Sequence, residues 1–150
     1  MNTIANKLES FIEQHKDSLL QIPPETFLYK PSPAKWSKKE IMGHLIDSAH
    51  SNIRRFVVAQ YEDNPTIVYN QEKWVVINNY QQWNSNQLIN LWYLLNKQVV
   101  EILKNTSAEM SGRICFTNES QTVQWLAADY NKHLRHHIHQ VLGLSPFAYP

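Results

Sequence analysis

The sequence predicts an all-α fold, a four-helix bundle with a long crossover connection, in one domain spanning residues 1–150. Three observations predict it. Four stretches carry apolar residues at the 3.6-residue period of a helix. Two long connections separate the later stretches, which suits a bundle with a crossover better than a run of tight hairpins. No segment of length shows the apolar–polar alternation that a sheet requires. One domain is the natural count for 150 residues.

The first helix is expected from about Thr3 to Leu20, with Ile4, Leu8, Phe11, Ile12 and Leu19 on its apolar face. Pro23, Pro24, Pro31 and Pro33 then break any helix. The second helix starts at Ser37, because Ser37-Lys38-Lys39-Glu40 fits the capping box, in which hydroxyl and carboxylate each satisfy a free backbone N–H. It runs through Ile41, Leu45, Ile53, Phe56 and Val57 to about Tyr61, and Asn64-Pro65 ends it. From Pro65 to Trp83 the chain forms the crossover, in which Trp74-Val75-Val76-Ile77 is a local helix or a turn. The third helix, about Ser85 to Lys104, shows a stripe of Leu88, Leu91, Trp92, Leu95, Val99, Ile102 and Leu103. A second connection covers Asn105 to Ser120. The fourth helix, about Gln121 to Leu142, places Val123, Leu126, Ala127, Tyr130, Leu134, Ile138 and Val141 on one side, and Gly143 and Pro146 close it.

Composition narrows the function. With 5 Trp, 7 Tyr and 5 Phe and no long run of like charge, the chain is built to fold. A formal net charge of +1 gives no strong electrostatic footprint for nucleic acid or an anionic membrane, so neither is expected as a partner. No apolar run approaches the roughly 20 residues of a membrane-spanning helix. Met1 to Lys16 has no apolar core of a secretory signal. Cys115 is the single cysteine, which fits a reducing, cytoplasmic setting.

The chemistry concentrates in histidine: four of the seven lie between His133 and His139. His133 and His137 are four residues apart, so a helix stacks both imidazoles on one face within reach of a single metal ion. Leu126, Tyr130, His133, His137 and Val141 step by four, three, four and four, which puts both rings on the inward stripe. On the second helix Ile41, His44 and Ser48 step by three and four, so His44 also points inward. Three imidazoles aimed into one core need partners, since an unpaired buried polar group costs on the order of 1–3 kcal/mol. A divalent metal satisfies all three, and neutral imidazole is its usual protein ligand. His136 and His139 fall off the stripe, at the surface or the mouth. His15 and His50 read as structural. Asp47 and Asp129 could orient a ligand through its second ring nitrogen, or be solvated helix carboxylates, the plainer reading for each.

Several chemistries lack their motifs. Leu134 follows His133, so no zincin His-Glu-x-x-His is present. The first and third helices carry no inward Glu, which argues against a di-iron carboxylate bundle. Three scattered Gly make no phosphate-binding loop, and no nucleophile elbow supports a Ser-His-Asp triad. Nothing near Cys115 would activate its thiol.

Two blocks resemble the DinB / YfiT-like superfamily. Trp36-Ser37-Lys38-Lys39-Glu40-Ile41-Met42-Gly43-His44-Leu45-Ile46-Asp47 resembles that family's Trp-Ser-x-x-Glu-x-x-x-His-Leu-x-Asp, and His133-Leu134-Arg135-His136-His137-Ile138-His139-Gln140 resembles its His-x-x-His-His-x-x-Gln. Weaker agreement runs through Arg54-Arg55-Phe56 and around Trp74. The resemblance implies a four-helix bundle holding a mononuclear metal on His44, His133 and His137, the three histidines that the face argument selects independently. It also implies a metal-dependent enzyme that transfers a low-molecular-weight thiol, bacillithiol-like, to an electrophilic small molecule, or a metal-dependent hydrolase, and commonly a homodimer. Zinc or nickel is the expected ion, with iron and manganese as the alternatives. Arg135 and His136 could hold an anionic cofactor at the mouth, or form a plain solvated face. A non-enzymatic reading stays open beside these: a metal-binding stress-response protein, or a dimeric interaction protein using Trp92 and other aromatics as its interface.

Overall fold

The computed structural model describes residues 1–149. Four long helices carry the fold: α1 (Asn2–Leu20), α3 (Lys38–Val58), α5 (Ser85–Asn105) and α7 (Val123–Leu142). Around the bundle the neighbours run α1, α5, α3, α7 and back to α1. Residues 2–20, 38–58, 85–105 and 123–142 fall within one or a few residues of the stripes read from the sequence. The caps explain the starts. Ser37 Oγ accepts from the Glu40 backbone N–H while the Glu40 carboxylate accepts from the Ser37 N–H, so the expected capping box is present. Thr122 caps α7 in place of the expected start at Gln121, because its hydroxyl accepts from the Trp125 N–H. Gly143, at φ +69°, ends that helix in the left-handed conformation that favours glycine.

Smaller elements depart from the sequence reading. The Pro-rich segment does contain a helix, α2 (Pro24–Leu28), started by Pro24 itself. Proline is tolerated in a helix's first turn, where its missing N–H has no intrahelical partner to lose. The Trp74 region is a true helix, α4 (Gln71–Asn78), capped by Asn70. A short 3₁₀ turn, Tyr80–Gln82, follows it. The second connection holds a one-turn helix, α6 (Ala108–Ser111), and a hairpin of β1 (Ile114–Phe116) and β2 (Ser120–Thr122), antiparallel with Cys115 opposite Gln121. Strands of three residues are too short to show alternation. Among the described residues no helix is long and apolar enough to cross a membrane.

The long connection between α3 and α5 is a crossover along the whole bundle, as expected. Lys39, at the start of α3, donates to the carbonyls of Gln81 and Trp83 beside the start of α5. Gln60, just past the end of α3, donates to Thr106 just past the end of α5. The two helices are therefore parallel, and the chain returns the length of α3 between them. It is fastened on the way: Arg55 donates to the Ile67 carbonyl and Tyr80 to the Asp47 carboxylate. At its beginning the Ile67 N–H donates to Phe116 O and the Phe116 N–H to Pro65 O, which ties the crossover to the hairpin.

Trp92 corrects the reading of an exposed aromatic face. It is fully buried, in the core with Leu8, Ile12, Leu45 and Leu103, and has no surface to offer a dimer partner. Nearby, the buried Tyr130 hydroxyl donates to Asn96 Oδ1 at 2.7 Å, and Asn96 Nδ2 donates to the Trp92 carbonyl at 2.8 Å. Tyr130→Phe should therefore strand Asn96 Oδ1 and cost about 1–3 kcal/mol. Urea unfolding checks this, and an unchanged midpoint would show that the bond contributes nothing.

Candidate metal centre

His44 on α3 and His133 and His137 on α7 meet between the two helices, one buried and two half-buried. Each offers one ring nitrogen, and the three nitrogens lie within 4.8 Å of one another. The ring centroids are 4.6–5.1 Å apart and the planes nearly perpendicular. The helical stripes account for the convergence: residues 133 and 137 are a turn apart, and His44 sits in the middle of the buried run of α3.

Electrostatics keep these rings neutral. Burial, with His137 facing it, lowers His44 to about 3. Burial and the neighbouring imidazoles lower His133 to about 2, and burial lowers His137 against the opposing bond from Gln140. Neutral imidazole is the form that ligates metal. His44 Nε2 and His133 Nε2 face each other at 3.0 Å. His137 Nδ1 donates to Gln140 Oε1 at 3.1 Å, which leaves its Nε2 lone pair free. His44 Nδ1 is buried without a partner. This donor set suits a divalent ion: three neutral nitrogens aimed at one point, with no acidic group among them.

The triad lines one wall of a cavity of about 490 Å³. Trp36 packs over His44 with centroids 5.1 Å apart. Tyr149, from the chain after α7, packs edge-on to His133 at 5.5 Å and donates to the Asp129 carboxylate at 3.0 Å. Two carbonyls hold that tail: Phe147 O accepts from His136 Nδ1 at 2.8 Å and Ser145 O from His139 Nδ1 at 2.7 Å. These two histidines, placed at the surface or the mouth by the sequence reading, thus anchor the tail. His15 and His50 bond the carbonyls of Phe11 and Ile46 one turn before them, as structural residues.

Neither carboxylate orients a triad ring. Asp129 serves Tyr149, and Asp47 is not solvated at all: it is 1% exposed and accepts from Tyr80 and Asn78. Arg135 lies over the Phe11 ring at 4.8 Å, and neither it nor His136 is among the cavity's lining residues. Cys115 is buried on β1, and burial pushes its thiol up. Sequence reasoning gave no role of their own to Arg55 and Gln140, and passed over Tyr69 and Tyr149. Helix spacing was the available signal for the first two, since Arg55 shares α3 with His44 and Gln140 follows His137 by three residues on α7, whereas Tyr69 and Tyr149 are placed by the crossover and the tail.

Asp47 carries a pH prediction. Burial raises its carboxyl to about 6, against the bond from Tyr80 and the charge of His50. With the folded value above the unfolded one of 3.8, its contribution to stability is full below about pH 4 and is lost as pH rises through 6. The loss amounts to about 3 kcal/mol. Asp47→Asn, which can still accept from Tyr80, should steepen the rise of stability between pH 4 and 6 in denaturant titrations, because it removes a contribution that opposes those of the buried neutral His44 and His133 over the same range. An unchanged slope would mean that the carboxyl titrates normally.

Comparisons with known proteins agree with this architecture. No curated protein matches the chain. A solved structure, YfiT from Bacillus subtilis, described as a probable metal-dependent hydrolase with an unusual four-helix bundle topology, is similar at a TM-score of 0.82. The two are 19% identical, and the match covers 95% of this chain and 87% of YfiT. The model of the DinB superfamily matches residues 8–141, nearly the whole bundle and all three histidines, and the chain belongs to that superfamily.

Proposed function

We propose that His44, His133 and His137 bind one divalent metal ion, zinc or nickel before iron or manganese, and that the chain is a metal-dependent enzyme acting on a small molecule. The observation that carries this is the convergence of three neutral imidazole nitrogens within 4.8 Å at the wall of a 490 Å³ cavity. Three protein ligands leave a coordination position open, as in catalytic and not structural sites. The chemistry such an ion supplies is Lewis acidity, enough to favour deprotonation of a thiol or a water near neutral pH. The protein's own contribution is to hold the rings neutral, to fix His137 through Gln140, and to screen the site with Trp36 and Tyr149.

The family resemblance favours transfer of a low-molecular-weight thiol to an electrophile. The description of YfiT favours hydrolysis as the second reading. Untagged, metal-loaded protein should conjugate a small thiol to a generic electrophile, and chelator should stop it. Hydrolysis of a model ester or amide under the same metal dependence would select the second reading. Stoichiometric metal without either reaction would support a binding protein, and metal present only after a nickel column would mark adventitious binding. Sedimentation velocity tests the homodimer that the resemblance implies.

A further inference from the structure

His44, Ser48, Asn52 and Arg55 step by four, four and three along α3, and all four line the cavity. The triad therefore occupies one end of a stripe and Arg55 the other, with Cα atoms about 16 Å apart at 1.5 Å per residue. A second, smaller cavity of about 270 Å³ opens at the Arg55 end. Its other lining residues are Val68, Tyr69, Gln71, Thr117 and Asn118, so the guanidinium is the only charge on its walls. Neutral hydroxyls and amides surround it.

Arg55 is half-buried, and burial works against its charge. Among the described residues no carboxylate comes within 4.0 Å of it. Asp129 reaches it only as a more distant field and is engaged by Tyr149. Nε and Nη2 both donate to the Ile67 carbonyl at 3.2 Å, and Nη1 donates to Asn52 Oδ1 at 3.4 Å. The Tyr69 ring lies 5.9 Å from the guanidinium carbon. These contacts lock the side chain in place without neutralising it, and leave one N–H on each terminal nitrogen. A fixed, partly desolvated guanidinium with a free terminal pair of donors is the arrangement that recognises an oxyanion in two-point fashion. Leaving that charge uncompensated is costly.

We propose that this end of the cavity is an oxyanion subsite, that Arg55 is its specificity-determining residue, and that the substrate is an elongated molecule with a carboxylate or phosphate group remote from its reacting end. The inference rests on the cavity being the small-molecule site proposed above, but not on the metal.

The test therefore uses chelator-stripped protein, so that its failure and that of the metal site are read separately. Inorganic phosphate, glutarate and the neutral glutaramide are titrated in turn, following fluorescence of the cavity tryptophans Trp36 and Trp125 and the ¹⁵N shift of Arg55 Nε. One or both anions should bind saturably and move the Arg55 resonance, and the diamide should not. The tighter of the two anions identifies the oxyanion. Arg55→Gln should weaken binding at least tenfold, while Arg54→Gln, which removes the same charge from the exposed neighbour, should change it less than twofold. Arg55→Lys keeps the charge without the planar fork and should weaken binding three- to tenfold, which serves if the Gln variant does not fold. Absence of saturable binding by folded wild-type protein, or equal loss in the Arg54 and Arg55 variants, would overturn the proposal.

Discussion

His137→Ala should abolish metal binding and turnover while leaving the bundle folded. The ring is one of the three proposed donors, and its partner Gln140 sits on the exposed side of α7. Losing an outer partner of a ligand typically costs 10–100-fold in metal affinity, and losing the ligand itself should exceed that. Metal measured on dialysed, untagged protein should fall from about one ion per chain to a small fraction. Helical circular dichroism should persist, because the side chain lines a cavity and alanine is a better helix former than histidine. His44→Ala should lose metal equally from the other helix. If either variant keeps its full complement of metal, the three-histidine site is not where the ion binds.

Gly43→Ala should be the glycine substitution that clashes most severely with its surroundings. A Cβ there would lie 2.0 Å from Tyr80 Cδ2, with two more ring atoms within 2.6 Å. Tyr80 is buried and its hydroxyl is engaged by Asp47, so the ring cannot simply swing aside. Overpacking of this kind usually costs 1–3 kcal/mol, and rigid backbone against a pinned ring places this case at about 3 kcal/mol. Thermal unfolding should then drop by roughly 6–12 °C for a domain of this size. Because Gly43 precedes His44, the variant should also weaken metal binding. A Tm within 2 °C of wild type would show that the 3₁₀ turn yields freely.

The long helices were legible because each buries one face, and burial imposes the 3.6-residue period on residues such as Leu88 to Leu103. The histidine site was legible for the same reason, since His133 and His137 stand where the stripe requires a buried residue. What escaped the sequence depends on partners far along the chain. Asp47 looks like an ordinary helix carboxylate until Tyr80 and Asn78 return to it across the crossover. Lys39 looks solvated until the carbonyls of Gln81 and Trp83 arrive. Trp92 belongs to both an apolar stripe and an aromatic count, and only packing decides that it is core. In α2, Pro24 occupies the first turn, where proline forfeits no intrahelical bond, so reading it only as a breaker hid the helix.

The strap from Pro65 to Trp83 is fastened to α3 at Arg55, Asp47 and Lys39 and forms part of the cavity wall through Tyr69, Gln71 and Glu72. Native-state hydrogen exchange should reveal it as a separate opening unit, less protected than the four rods. A ligand that grips this wall suppresses that opening by mass action, so occupancy would register as slowed exchange of amides that never touch the bound molecule.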